Sequence, residues 1–494
     1  MNHPFSRRIV LVEAAAVLAG ILAPPAFGQA TQPTPRWPNI LWICPDQQRW
    51  DTIHALGNKY IRTPNIDRLV ANGVAFTHAF CQSPVCTPSR AAFLTGRYPS
   101  SIRACINGND HWANAAPLIT KTLANAGYDC GLAGKLHLSA AHERIERRPD
   151  DGYRVFHWSH HPYDDWPEGH DYINWLRKQG LDFRALHKKH GFIPEEYHQT
   201  TWCGLMAMDF FREHADDDQP WLFSFNCFDP HNLYDPPGNY LARFDIPSLP
   251  GPAFRESDVA AQEKLSSLRF LAPFARPETF DGKKLQAQYW AQIELIDHVV
   301  GQMLDALEKT GQLENTLIIY MSDHGDILGD HGLQVKGCRF YDPLVRVPLV
   351  ISWPGHLKQG LVSDALVELI DIPPTLLELV GLPKDPEMAG KSLLPILKGQ
   401  ADPHHHRDFV RCEYFQALFG PPSYGTMFRD RRYKLVNYHG TGLGELFDMQ
   451  EDPGEFNNLW DNPRYADVRF QLMVKSFDSL AFSVDTGPRR VGRF

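Results

Sequence analysis

The chain is 494 residues long, too long for one small core and about right for one large domain with a smaller one beside it. Apolar residues make up 43% and charged residues 22%, which are ordinary globular values. The formal charge of −9, with no block of Lys or Arg, argues against nucleic acid as the main partner. An anionic ligand would therefore need positive charge concentrated locally.

Ser6-Arg7-Arg8-Ile9-Val10 reads as a twin-arginine-like start, and an apolar stretch follows from Ala14 to Ala23. That stretch is shorter than the ~20 residues a membrane span needs, and Pro24-Pro25 ends it. The expectation is an export leader over residues 1–30, cleaved near Ala30, with no stable membrane span and a periplasmic or secreted mature protein. Nine cysteines are present, and none has Cys-x-x-Cys or Cys/His metal spacing. Cys44, Cys130 and Cys227 lie in apolar runs and read as buried thiols.

Several short apolar runs then stop abruptly in chemically capable residues. Ile40 to Cys44 ends at Pro45-Asp46-Gln47. After it, Cys86-Thr87-Pro88-Ser89-Arg90 predicts a helix start, with Pro88 in the first turn and Gly96 at the end. Cys86 and Arg90 then stand one turn apart, at a helix end whose free N–H groups favour an anion. A thiolate phosphatase is excluded by spacing, since it needs Arg six positions after Cys and Ala92 stands there. Tyr128 to Ala133 runs into Gly134-Lys135-Leu136-His137, and Trp221 to Phe225 leads to Asp229-Pro230-His231. Leu317 to Met321 stops at Ser322-Asp323-His324-Gly325. Helical patterns cover 118–126 and 286–309, and the His-rich segment from His157 to Tyr172 reads as a rim loop.

Runs apolar on both faces suit a parallel sheet covered by helices, with ligands bound beyond the carboxyl ends of the strands. The predicted fold is α/β: a large mixed, mostly parallel sheet sandwiched by helices. Shorter strand patterns at 408–415, 425–428 and 433–438 predict a small C-terminal antiparallel sheet. The expected division is a catalytic domain over 37–390, an antiparallel sheet plus helix over 391–480, and a tail over 481–494.

With these motifs in order, the chain resembles the formylglycine-dependent (type I) sulfatases of the alkaline-phosphatase superfamily, over about Pro38 to Leu459. The resemblance implies that a maturation enzyme oxidises Cys86 to formylglycine, whose hydrate binds a divalent metal and attacks the sulfur of a sulfate ester. Asp46 and Asp323 offer hard oxygens that suit calcium or magnesium, and His324 adds a nitrogen that keeps manganese in play. With Cys86 they form the expected metal set. Gln47 completes it through a carbonyl oxygen where many relatives carry a second Asp. Arg90, Lys135 and Lys336 would stabilise charge on the diol and the sulfate oxygens. By the same resemblance His231 protonates the leaving alcohol and His137 takes a proton from the second diol hydroxyl. Asn107, Lys135, His231 and Lys336 would contact substrate, and Asp326, Asp330 and His331 would support the loop that carries Lys336. Sulfated carbohydrate is the expected substrate class, ahead of a sulfated small molecule. The alternatives are a phosphonate monoester or phosphodiester hydrolase on the same site, and a non-catalytic anion-binding protein that keeps the fold.

Overall fold

The computed structural model describes residues 37–113, 116–141, 145–163, 170–486 and 492. The expected export leader lies outside the described residues. Among them, no helix is long and apolar enough to cross a membrane.

Thirteen strands are present among the described residues: β1 (Asn39–Ile43), β2 (Gly73–Phe80), β3 (Asp129–Gly134), β4 (Val155–Trp158), β5 (Trp221–Asn226), β6 (Thr316–Met321), β7 (Arg346–Val347), β8 (Leu349–Ser352), β9 (Leu361–Glu368), β10 (Val410–Phe415), β11 (Tyr424–Arg429), β12 (Tyr433–Tyr438) and β13 (Leu443–Asp448). Nine form one sheet in the order β4-β3-β5-β1-β6-β8-β2-β7, with β9 paired to β2. The run β4-β3-β5-β1-β6 is parallel throughout, as is β2 with β9, while β8 is antiparallel to both β6 and β2. β2 therefore points the same way as β6, and the chain leaves it at the edge where the β3, β5, β1 and β6 tails emerge. The mixed, mostly parallel sheet agrees with the expectation.

Alternation along each strand builds a core on either face. Ile40 and Trp42 of β1 and Leu317 and Ile319 of β6 pack into one cluster, whereas Leu41, Ile43, Ile318 and Tyr320 face the other. The second face is covered by the helix Gly282–Lys309, through Leu295, Val299, Val300 and Met303. The first is covered partly by the helix Cys86–Thr95, through Ala91, Phe93 and Leu94. The 118–126 and 286–309 patterns are both helical, as Ile119–Ala126 and within Gly282–Lys309.

β10, β11, β12 and β13 form a separate antiparallel sheet. Val410, Cys412, Met427, Val436 and Tyr438 join the core of the main sheet's first face, so the two sheets share one apolar interior. Buried charge joins them as well: Asp342 accepts from Arg429 (2.6 Å) and Lys434 (2.5 Å), and Lys434 also meets Glu455 at 2.6 Å. Every partner in that knot is compensated, the condition under which buried charge is tolerated.

Two features depart from the sequence reading. The segment His157–Tyr172 is not simply a rim loop: it begins inside β4 and ends inside the helix Asp171–Lys178. A fourth strand, β13, closes the C-terminal sheet where the sequence pattern shows only a polar, turn-rich stretch. Its short apolar Leu446-Phe447 is flanked by acids that find their Arg and Tyr partners only in three dimensions.

Candidate active site

Four strand ends and one helix start meet at a single point. β1 delivers Asp46 and Gln47, β3 delivers Lys135 and His137, β5 delivers Asp229 and His231, and β6 delivers Asp323 and His324. The order β3-β5-β1-β6 makes these strands consecutive neighbours, so their polar tails emerge side by side. Gly134 makes that possible: its φ is +107°, and a Cβ there would lie 1.9 Å from the Asn226 carbonyl oxygen.

Cys86 is the first residue of its helix, which ends at Gly96 in the left-handed conformation (φ 70°). The thiol is 2% exposed. Its sulfur lies 3.0 Å from Lys336 Nζ, 3.2 Å from His324 Nε2, 3.6 Å from Lys135 Nζ and 3.7 Å from Asp46 Oδ1. Burial alone would push this thiol up, but Lys135, Lys336 and His324 outweigh it and hold the thiol well below its ordinary range. Position 86 is built to carry negative charge.

Arg90, one turn along the helix, is fully buried beneath the site. Its Nε donates to Asp323 Oδ2 (2.9 Å), Nη1 donates to the Lys135 carbonyl (2.8 Å), and Nη2 stands 3.5 Å from Asp46. Lys135 pairs with Asp46, which offsets the cost of burying its ammonium. Asn107 is placed differently from the other expected contacts. Its side-chain oxygen accepts from the Thr87 N–H (3.0 Å), which caps the first turn of the Cys86 helix.

The site's donor set can be tested for a cation. Asp46, Cys86, Asp323 and His324 bring one ligand atom each to within 4.8 Å of one another. His324 Nδ1 faces the Gly325 carbonyl (2.8 Å), so Nδ1 carries the proton and Nε2 is left to face the cluster. Nε2 stands 3.9 Å from a carboxylate oxygen of Asp46 and 3.9 Å from one of Asp323. Burial lowers the His324 pKa, but Asp323 outweighs it and raises it. A position that attracts a proton between two carboxylates attracts a cation for the same reason. Two hard oxygens, a nitrogen and residue 86 therefore fit a divalent ion.

The histidines differ in setting. Burial first, then Lys135, depresses His137 to about 4, so it is unprotonated at neutral pH and free to accept a proton. Its backbone sits at φ 57°, where a non-glycine residue is strained, and its N–H donates to Glu146 (2.7 Å). Burial raises Glu146 to about 8. Glu146 is a contributor that sequence reading missed, and nothing in its local pattern marks it. The imidazole of His160 packs edge-on against His137 at 4.4 Å, and His161 packs on Phe228, which in turn lies under His231 (4.6 Å). The His-rich segment thus walls the site. Burial and then Lys336 lower the His231 pKa. Its Nδ1 faces the Asn232 carbonyl (2.6 Å), so Nε2 accepts from Lys336 Nζ at 3.0 Å.

Of the expected supports, Asp330 pairs with Arg49 (2.8 Å) and His331 with Asp258 (2.9 Å). Asp326 instead contacts Gln47 directly.

This assembly, a buried thiol ringed by basic groups beside a carboxylate–imidazole pocket, suits a hydrolase of anionic tetrahedral esters on an alkaline-phosphatase-like fold. The sulfatase family model matches residues 38–382, and a model of the N-sulphoglucosamine sulphohydrolase C-terminal region matches 329–480. The chain belongs to the sulfatase family and is a sulfuric ester hydrolase. It is 29% identical over 468 residues to an arylsulfatase of Clostridium perfringens, covering 89% of this chain and 94% of that protein. It is 25% identical over 510 residues to an N-acetylglucosamine-6-O-sulfatase of Bacteroides thetaiotaomicron, covering 88% and 85%. Among solved structures, a phosphonate monoester hydrolase of Agrobacterium radiobacter superposes with a TM-score of 0.77 at 26% identity, covering 91% of this chain and 96% of that one.

Proposed function

We propose that Cys86 is oxidised by a maturation enzyme to formylglycine and that the mature site removes sulfate from sulfated carbohydrates, with calcium held by Asp46, Asp323, His324, residue 86 and Gln47. The observation that carries this reading is the ring of Lys336, His324, Lys135 and Asp46 atoms within 3.7 Å of the Cys86 sulfur. Calcium, or manganese or magnesium in its place, would supply Lewis acidity and orient the attacking oxygen. Hydrated formylglycine would supply two geminal oxygens, one to attack sulfur and one to expel sulfate by restoring the aldehyde.

The chain's own residues then divide the work. Lys135 and Lys336 face the non-bridging oxygens, while Arg90 holds Asp323 and Asp46 in place from below. His137, unprotonated at neutral pH, removes the proton from the second oxygen. His231 delivers a proton to the leaving alcohol, with the Lys336 ammonium hydrogen-bonded to Nε2 as its source. Asn107 orients the nucleophile helix through Thr87 and is proposed as a substrate contact from there.

The carbohydrate assignment is supported by the relative that acts on N-acetylglucosamine-6-O-sulfate, and by a groove beside the His231 loop. That groove, about 550 Å³, is lined by Tyr163, Phe183, Arg184, Lys188, Leu233 and Tyr234. Aromatic faces with basic neighbours suit an anionic sugar ring. The proposed organisation is an export leader over 1–30, a catalytic domain over 37–390, a C-terminal sheet and helix over 391–480, and a tail. The mature enzyme would act in the periplasm or outside the cell.

The likeness to a phosphonate monoester hydrolase favours a second reading, turnover of phosphonate monoesters at the same site. One set of measurements tests both. Peptide mass spectrometry across Cys86 should show loss of sulfur and gain of an aldehyde. On esters of one aryl alcohol, kcat/KM should be higher for the sulfate than for the phosphonate. An unmodified thiol in active enzyme overturns the nucleophile assignment, and the reverse substrate order selects the second reading.

The two histidines should fail differently. His231→Ala should slow esters of poorly activated alcohols by about 10²–10⁴-fold and activated aryl esters far less, because a good leaving group needs little protonation. His137→Ala should slow sulfate release, so that protein carrying one sulfate accumulates during turnover. The readout is rate against leaving-group pKa, with intact mass recorded alongside. Equal leaving-group sensitivity and no retained sulfate would mean that the roles are reversed or wrong.

A further inference from the structure

Gln47 is a neutral residue inside a charged cluster, and its orientation decides what it offers there. Its backbone is pinned at φ 72°, its N–H donates to Asp323 Oδ1 (3.0 Å), and its carbonyl accepts from Tyr289 (2.6 Å). Only the side-chain amide is left to choose. Lys336 Nζ lies 2.7 Å from one end of that amide and Asp326 Oδ2 contacts the other. An ammonium only donates and a carboxylate only accepts, so the end facing Lys336 must be Oε1 and the end facing Asp326 must be the NH₂. Asp326 is itself fully buried and fully engaged. Oδ2 also accepts from Tyr234 (2.6 Å), and Oδ1 accepts from the Leu328 N–H (2.8 Å).

We propose that Asp326, supported by Tyr234, is a positioning residue that turns the Gln47 amide so that its carbonyl oxygen faces the cation pocket. The inference rests on the proposed metal role of Asp46, Asp323 and His324. Lys336 favours Oε1 on its own side, and the Asp326 acceptor holds the NH₂ on the other, so the amide is fixed at both ends. With a carboxylate at 47 and Asp326 intact, two buried carboxylates would meet, and one would have to take up a proton for both to stay. The neutral residue at 47 and the acid at 326 are therefore one unit: an amide and a carboxylate, each of which needs the other.

A reciprocal exchange tests this. Gln47→Glu and Asp326→Asn are each nearly isosteric, and together they swap which position carries the amide. Calcium affinity by calorimetry and the thermal midpoint of metal-free protein are measured for wild type, both single variants and the double variant. Asp326→Asn is expected to weaken calcium about tenfold or more, the usual scale for a group that orients a ligand, and each single variant is expected to lower the metal-free midpoint. The double variant should recover both, because the amide now at position 326 can donate to the carboxylate now at position 47, and that carboxylate still accepts from Lys336. Additive losses, with the double variant worse than either single, overturn the proposal. If wild type binds no calcium, the metal assignment fails, and recovery of the midpoint in the double variant still decides whether positions 47 and 326 act as a unit.

Discussion

Cys86→Ala and Cys86→Ser are expected to lose multiple turnover on an aryl sulfate by about 10⁴-fold or more, the scale on which deleting a nucleophile acts. The chemistry needs two oxygens on one carbon. Serine supplies one, so it can accept a sulfate but cannot expel it by forming an aldehyde, and alanine supplies none. Folding should hardly notice. Position 86 is the first residue of a helix, alanine is a good helix former, and the site's ion pairs run through Arg90, Asp46 and Asp323 without needing the sulfur. The thermal midpoint should move by no more than about 2–4 °C. Retained multiple turnover in the alanine variant would sink the nucleophile assignment.

Asp46→Asn and Asp323→Asn should each weaken calcium and lower activity together, since calcium affinity follows the charge of its ligands. The two should not behave alike in the metal-free protein. Asp323 accepts from the Gln47 N–H, the His324 N–H and Arg90 Nε, so an asparagine there must turn an NH₂ toward at least one donor. Breaking such a buried pair costs about 3–5 kcal/mol. Asp46 accepts mainly from the buried Lys135 ammonium, with Arg90 farther off at 3.5 Å, so its loss leaves that ammonium without its carboxylate but disturbs fewer donors. Metal content of purified protein, calcium titration and the metal-free midpoint separate these effects. Full occupancy and normal rate in both variants would place the ligands elsewhere.

Much of the site was legible because each of its residues follows a strand that is apolar on both faces. Such strands pack in a parallel sheet, and their carboxyl ends must then lie together. Asp46, Lys135, His137, His231, Asp323 and His324 could be grouped on that ground alone. The helix from Cys86 to Gly96 was readable from proline and glycine, whose backbone preferences are local. What escaped were groups whose importance is purely spatial. Glu146 holds the His137 backbone, and Tyr234 and Tyr289 hold Asp326 and Gln47. Each is an ordinary residue in an ordinary stretch.

The sequence by itself determined four strands of the central sheet, β1, β3, β5 and β6, where the Cys86 helix begins, and that the polar tails of those strands share one edge. These follow from side-chain periodicity and from backbone preferences that act over a few residues. Only the tertiary structure decided the order β3-β5-β1-β6, the fourth strand of the C-terminal sheet and the sharing of one core between the two sheets. It also decided that Gln47 is read through Asp326, 279 residues away. Those outcomes depend on pairings between distant segments, where a donor acquires its meaning only from the acceptor that the fold brings to it.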